Sequence, residues 1–151
     1  MTEPSLPPWP DVDYELFGPV SDPVPLSRIQ KLSAGYLQRN WATIPHVTHH
    51  DEADVTDLEL ARKQAAAQSG RKTTLLPYLI KAVAQGLARF PQFNSSIDRS
   101  GQALVFRKYF HIGFAVDTPK GLLVPVIRNC DQKKVDELAA EVERFLRDRD
   151  T

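Results

Sequence analysis

The chain has 151 residues, 42% of them hydrophobic and 25% charged, which suits one soluble domain and excludes wholesale disorder. Its 19 basic and 19 acidic side chains cancel to a formal net charge of zero, which excludes a generic nucleic-acid or membrane-surface binder. The zero hides a segregation: residues 1–59 carry three basic groups against ten acidic ones, a net of −7, and residues 60–134 carry thirteen against three, a net of +10. The tail from 135 to 151 contributes −3. An acidic front and a basic middle point to an anionic ligand for the middle.

Seven of the twelve prolines fall within residues 1–25, a density that forbids helix and sheet ladders and favours an extended arm. Trp9, Tyr14, Leu16 and Phe17 give that arm apolar anchors. From Ser27, an N-cap type, the pattern Ile29, Leu32, Tyr36/Leu37, Trp41 predicts an amphipathic helix that stops before Pro45. Residues 46–50 (HVTHH) read as an extended segment with alternating faces. Asp54 or Thr56 opens a second helix, ended by Gly70. Residues 75–90 are apolar almost all round and predict a central, buried helix, with Pro77 tolerated in its first turn.

After Pro91 the texture changes to short strand-like runs at 104–106, 110–116 and 122–127, read as an antiparallel meander. Ser100-Gly101 supplies one turn, and Thr118-Pro119-Lys120-Gly121 closes a hairpin between the second and third runs. A last amphipathic helix over 133–149 sets Val135, Leu138, Ala139, Val142 and Leu146 on one side. Helices, strands and a final helix make an α/β (α+β two-layer) domain.

The lone Cys130 cannot form an intramolecular disulfide, no apolar run reaches membrane-span length, and the N-terminus has neither a secretory nor a mitochondrial leader pattern. These features predict a cytoplasmic protein without a membrane partner.

Motifs of general catalytic chemistry are nearly empty: no phosphate-binding glycine loop, no paired-cysteine metal site, no nucleophile elbow. The densest polar cluster is His46, His49, His50, Asp51, Glu52 and Asp54. Metal binding there needs two or three of them to converge, and a polar surface accounts for them more simply. Cys130 has no partner pattern that makes a nucleophile. Arg62, Lys63, Arg71, Lys72, Arg107, Lys108 and Arg128 either cradle phosphates or form solvated faces.

The runs PHVTHHDEADVTDLELARK (45–63), FPQFNSSID (90–98) and KYFHIGFAVDTPKGLLVPVIRN (108–129) together resemble the dihydrolipoyl acetyltransferase core, the acyltransferase of 2-oxo acid dehydrogenase complexes. The segments PPWPDVDYELFG (7–18) and PLSRIQKLSAGYLQRNW (25–41) resemble its pyruvate branch. The resemblance implies a chloramphenicol-acetyltransferase-like mixed sheet with flanking helices, assembled as trimers within a larger core. It also implies acetyl transfer between the thiol of a lipoyl group, carried on a separate domain, and the thiol of coenzyme A. The other subunits of the pyruvate dehydrogenase complex are the implied partners, and no cofactor is implied to be covalently bound in this chain.

By the same resemblance the arm spans 1–25 and the N-terminal portion of the catalytic domain spans 26–151, incomplete at its C-terminus. Arg62 is the implied contact of a coenzyme A phosphate. Asn94, Ser95, Asp117 and Thr118 are implied to line the substrate channel, although capping and hairpin turns explain their types equally well. Arg28 is the implied polar link to the family's HxxxDG segment. That histidine motif and the family's FTIS-like oxyanion motif do not occur in these 151 residues; the nearest pattern, His50 to Asp54, is followed by Val55. No catalytic residue is therefore assigned, and the chain alone is expected to be inactive. The alternative is a non-catalytic assembly or interface module, or a truncated fragment.

Overall fold

The computed structural model describes residues 8, 10–71, 73–118 and 121–147. Trp9, Lys72, the turn residues Pro119 and Lys120 and the end of the expected last helix lie outside the described residues. The chain divides into two units between Asp51 and Glu52.

In the first unit, Asp13 accepts the Glu15 N–H at 3.1 Å and opens a short 3-10 helix, Tyr14–Phe17. Helix α1, Arg28–Thr43, starts with a reciprocal capping box. The Gln30 N–H donates to Ser27 Oγ, and the Ser27 N–H donates to Gln30 Oε1 at 2.8 Å. The helix ends where Ile44 turns extended ahead of Pro45, which disfavours helical geometry in its predecessor. None of its residues is buried: Ile29, Leu32, Tyr36, Leu37 and Trp41 are all exposed. No strand forms over 46–50, and Trp41 stacks on His46 with ring centroids 5.1 Å apart.

The second unit begins with α2, Thr56–Ser69, where Asp54 Oδ1 accepts from the Thr56 N–H and hydroxyl at 2.9 and 2.6 Å. Gly70 ends it in the left-handed region, φ 69°, its N–H donating to Ala66 O. Helix α3, Leu76–Arg89, carries Pro77 in its first turn, where no intrahelical donor is lost. The expectation of a helix buried all round is corrected. Pro77, Ile80 and Ala84 are buried, whereas Leu79 and Val83 stay 48% and 49% exposed, because α4 (Val135–Arg147) and the strands cover one face only.

A 3-10 turn, Pro91–Asn94, leads into β1, Ser95–Ile97, which pairs antiparallel with β2, Leu104–Phe106. This corrects the meander: the 104–106 run pairs with 95–97 and not with the hairpin. The hairpin itself forms as expected. Strands β3 (Ile112–Gly113) and β6 (Val126–Ile127) pair at its open end, and β4 (Val116–Thr118) and β5 (Gly121–Leu123) at its closed end, all in one continuous register. The ladder breaks opposite Pro125, which has no N–H to donate; one bond survives there, from the Phe114 N–H to Pro125 O at 3.2 Å. Among the described residues the sheet structure is three two-stranded antiparallel ladders, with helices against one side, an α/β arrangement.

The core is the helix-facing side of this hairpin. Ile80, Ala84, Phe114, Val116, Ile127, Cys130, Leu138 and Val142 form one buried cluster, edged by Leu76, Phe110, Ile112, Phe145 and Leu146. Alternation in β4 places Val116 and Thr118 inward and Asp117 outward.

Candidate functional site

Arg62 lies on α2 with its guanidinium part-buried and its fork engaged. Nε and Nη2 donate to the two carboxylate oxygens of Glu59 at 2.9 and 2.7 Å, and Nη1 donates to the Thr73 carbonyl at 2.7 Å. The i, i+3 spacing puts both side chains on one helix face, and the planar fork matches a carboxylate. The hydrogen bonds that Arg62 donates to Glu59 hold the Glu59 carboxyl below the usual carboxylate range and raise Arg62. Two of five guanidinium N–H bonds are left without a partner among the described residues.

Thr73 ties Arg62 to a groove of about 190 Å³ lined by Ser69, Arg71, Thr73, Asp136, Ala139, Ala140 and Glu143. Arg71 brings a positive charge to it, and α4 brings Asp136 and Glu143. Small side chains at 139 and 140 leave the space open.

Asn94 is 8% exposed, and its amide acts as a staple. Nδ2 donates to the carbonyls of Arg107 and Tyr109, both at 3.1 Å, and the backbone carbonyl of Asn94 accepts the Arg107 N–H at 2.9 Å. Ser95 Oγ donates to Gln92 O at 2.6 Å, and Arg107 Nη2 donates to Ser96 Oγ. These contacts join the 3-10 turn to the β1–β2 ladder. Thr118 is buried at the hairpin end, its hydroxyl donating to Gly121 O at 2.7 Å, while Asp117 is exposed. Arg28 is the exposed first residue of α1. Arg62, the Asn94–Arg107 staple and Thr118 are thus built into three different parts of the second unit, and Arg28 belongs to the first.

His46, His49 and His50 are exposed, and among the described residues no group of three or more His, Cys, Asp or Glu side chains is arranged to hold a metal ion. Cys130 is fully buried, its thiol donating to Ile127 O at 3.2 Å; burial pushes the thiol up, the direction of an unreactive cysteine. Two polar anchors stand outside the residues singled out from the sequence. Lys81 donates from α3 to the carbonyls of the 130–133 turn, and His111 Nδ1 accepts the Asn129 N–H at 3.1 Å. Asn129 has a φ of 53°, and its residue type, tolerant of the left-handed region, was the one signal that the turn needed an anchor.

Residues 19–150 match the family described as 2-oxoacid dehydrogenases acyltransferase (catalytic domain). The dihydrolipoyllysine-residue acetyltransferase component of the pyruvate dehydrogenase complex of Pseudomonas aeruginosa is 51% identical over 139 residues, which are 90% of this chain and 25% of that protein. The solved dihydrolipoamide acetyltransferase of Azotobacter vinelandii superposes with a TM-score of 0.84 at 50% identity, covering 94% of this chain and 59% of that one. The solved cubic core of a pyruvate dehydrogenase multienzyme complex gives the same TM-score, identity and coverage. The chain therefore spans about a quarter of the P. aeruginosa relative and under two thirds of the solved chains. Among the described residues, no helix is long and apolar enough to cross a membrane.

Proposed function

The chain belongs to the family of 2-oxoacid dehydrogenase acyltransferase catalytic domains, and on that premise we propose that it forms part of a core that passes an acetyl group between a dihydrolipoyl thiol and coenzyme A. The observation that carries the proposal is the match over residues 19–150 together with 51% identity to a dihydrolipoyllysine-residue acetyltransferase component. In this reading residues 26–151 are the N-terminal portion of the catalytic domain and 1–25 its arm. Coenzyme A is a substrate, the lipoyl group arrives on a separate domain, and the protein works in the cytoplasm in contact with copies of itself and the other subunits of its complex. The free, buried Cys130 fits a reducing compartment.

Thiol-to-carbonyl transfer needs a base for the attacking thiol and a donor for the tetrahedral oxyanion. These 151 residues hold no HxxxDG histidine, and the Nδ1 of His111 is occupied as an acceptor. What the described residues offer is anion binding. Arg62, held in place by Glu59 and Thr73, presents its two remaining N–H bonds as the phosphate contact; the adjoining groove sets Arg71 against Asp136 and Glu143 and adds no net positive charge, so the contact rests on Arg62. Asn94, Ser95, Asp117 and Thr118 serve as channel positions, and Arg28 as the link to the histidine segment of the family.

The test is titration of the 151-residue chain with coenzyme A by calorimetry, alongside an assay of acetyl transfer from acetyl-CoA to dihydrolipoamide. Binding without turnover is expected, and Arg62→Ala is expected to weaken binding about tenfold, the loss of one charge-assisted contact. Measurable turnover overturns the assignment of a non-catalytic portion. Affinity unchanged in Arg62→Ala overturns the phosphate contact.

A further inference from the structure

Three backbone carbonyls converge on one ammonium. Lys81 Nζ donates to the carbonyl oxygens of Asp131 and Lys133 at 2.7 Å each and of Cys130 at 3.3 Å. A lysine ammonium has three N–H bonds, so the set uses all of them. The turn that supplies the carbonyls is fixed independently of Lys81. The Cys130 N–H donates to Phe110 O at 2.8 Å, the Gln132 N–H to Asn129 O at 3.1 Å, and the Lys134 N–H to the Glu137 carboxylate at 2.7 Å. Lys133 pairs with Glu141.

The acids that α4 brings to the turn, Glu137 and Glu141, are thus engaged with Lys134 and Lys133. No ion pair to Lys81 forms among the described residues, so carbonyl dipoles are what meet its charge. The turn also leads directly into α4, whose N-terminal end is electropositive and does not by itself gather cations. Carbonyls aimed inward at such a place form a cradle with its own preference for a cation.

We propose that the 130–133 turn is a monovalent cation site that the protein fills with its own Lys81 ammonium, and that it takes a primary alkylammonium ion once that side chain is removed. The site selects by hydrogen-bond donors as well as charge, so a quaternary ammonium ion, with none, does not bind. The proposal stands independently of the acyltransferase reading.

Two measurements on the 151-residue chain test it. In the unaltered protein, brief labelling with acetic anhydride read by mass spectrometry should modify Lys81 at least about tenfold more slowly than the exposed Lys63 and Lys108, since its hydrogen bonds must break first. Equal labelling overturns the proposal. In Lys81→Ala the melting temperature should fall by about 5 °C. Propylammonium should restore it in a saturable manner, while tetramethylammonium at the same ionic strength should not. Equal effects of the two ions, or none from either in a folded variant, overturn the site. If Lys81→Ala folds under no condition, the labelling result on the unaltered chain decides.

Discussion

A single carboxylate, Asp98, organises the turn between β1 and β2. Its oxygens accept from the Ser100 hydroxyl at 2.9 and 2.7 Å and from the N–H groups of Gln102 and Ala103 at 3.1 and 3.2 Å. Gly101, at a φ of 72°, supplies the left-handed residue that the turn requires. The Ser100 hydroxyl above all, and then the backbone N–H groups, hold the Asp98 carboxyl below the usual carboxylate range. A depressed folded value means that the stabilisation is present above the unfolded value and is lost as pH falls through the folded one. Asp54, held down by Thr56, and Glu59, held down by Arg62, act in the same direction. Stability should therefore decline from about pH 5 toward pH 3, and Asp98→Asn, which keeps an acceptor but cannot be protonated, should decline less steeply. Urea midpoints taken across that range check this; identical slopes in both proteins would remove Asp98 as a contributor.

The weak element is the middle of the hairpin, where the ladder breaks around Pro125. Gly113 is required there by close approach: a Cβ would stand 2.9 Å from Val124 Cγ1. Val124 is β-branched, so its methyl cannot retreat by a small χ1 adjustment. Gly113→Ala should cost about 1 kcal/mol by overpacking. Adding Val124→Ala should recover most of that, giving a clear coupling in a double-mutant cycle of urea denaturation. Additive effects would place the strain elsewhere. Elements set by local chemistry were legible in the sequence: Ser27 as the N-cap of α1, the stop before Pro45, Gly70, and the two apolar arms around Thr118. The β1–β2 pairing was not, because Ser95 and Ser96 carry no strand pattern and the three-residue strands are defined by Asn94 reaching Arg107 and Tyr109, a tertiary contact. At the candidate site, Arg62 stood out as a basic residue, and its partner Glu59 lay in plain view three residues earlier. That it also grips Thr73 depends on the path of the α2–α3 loop, which no spacing encodes.

Across the whole molecule, burial and charge are distributed unevenly. Among the described residues the buried apolar side chains begin at Pro77 and all the others lie beyond it, whereas α1, with Ile29, Leu32, Tyr36, Leu37 and Trp41 at helical spacing, buries none. An isolated 16-residue helix is marginal in water, so an apolar face of this kind gains most of its stability from a partner surface. The β5 residues Leu122 and Leu123 and the neighbouring Val124 and Val126 are exposed as well. Two forces can draw copies together: apolar burial, or attraction between the −7 front and the +10 middle. They respond oppositely to salt, because at about 1 M the screening length shrinks to about 3 Å while apolar burial is not weakened. Apolar burial has the larger surface at its disposal here, so the chain should sediment as an oligomer that persists in about 1 M sodium chloride. Leu37→Glu with Trp41→Glu should shift the equilibrium toward monomer, read by sedimentation at matched concentrations. Dissociation by salt would assign the association to charge, and a monomer at every concentration would mean that α1 holds its apolar face in water unaided.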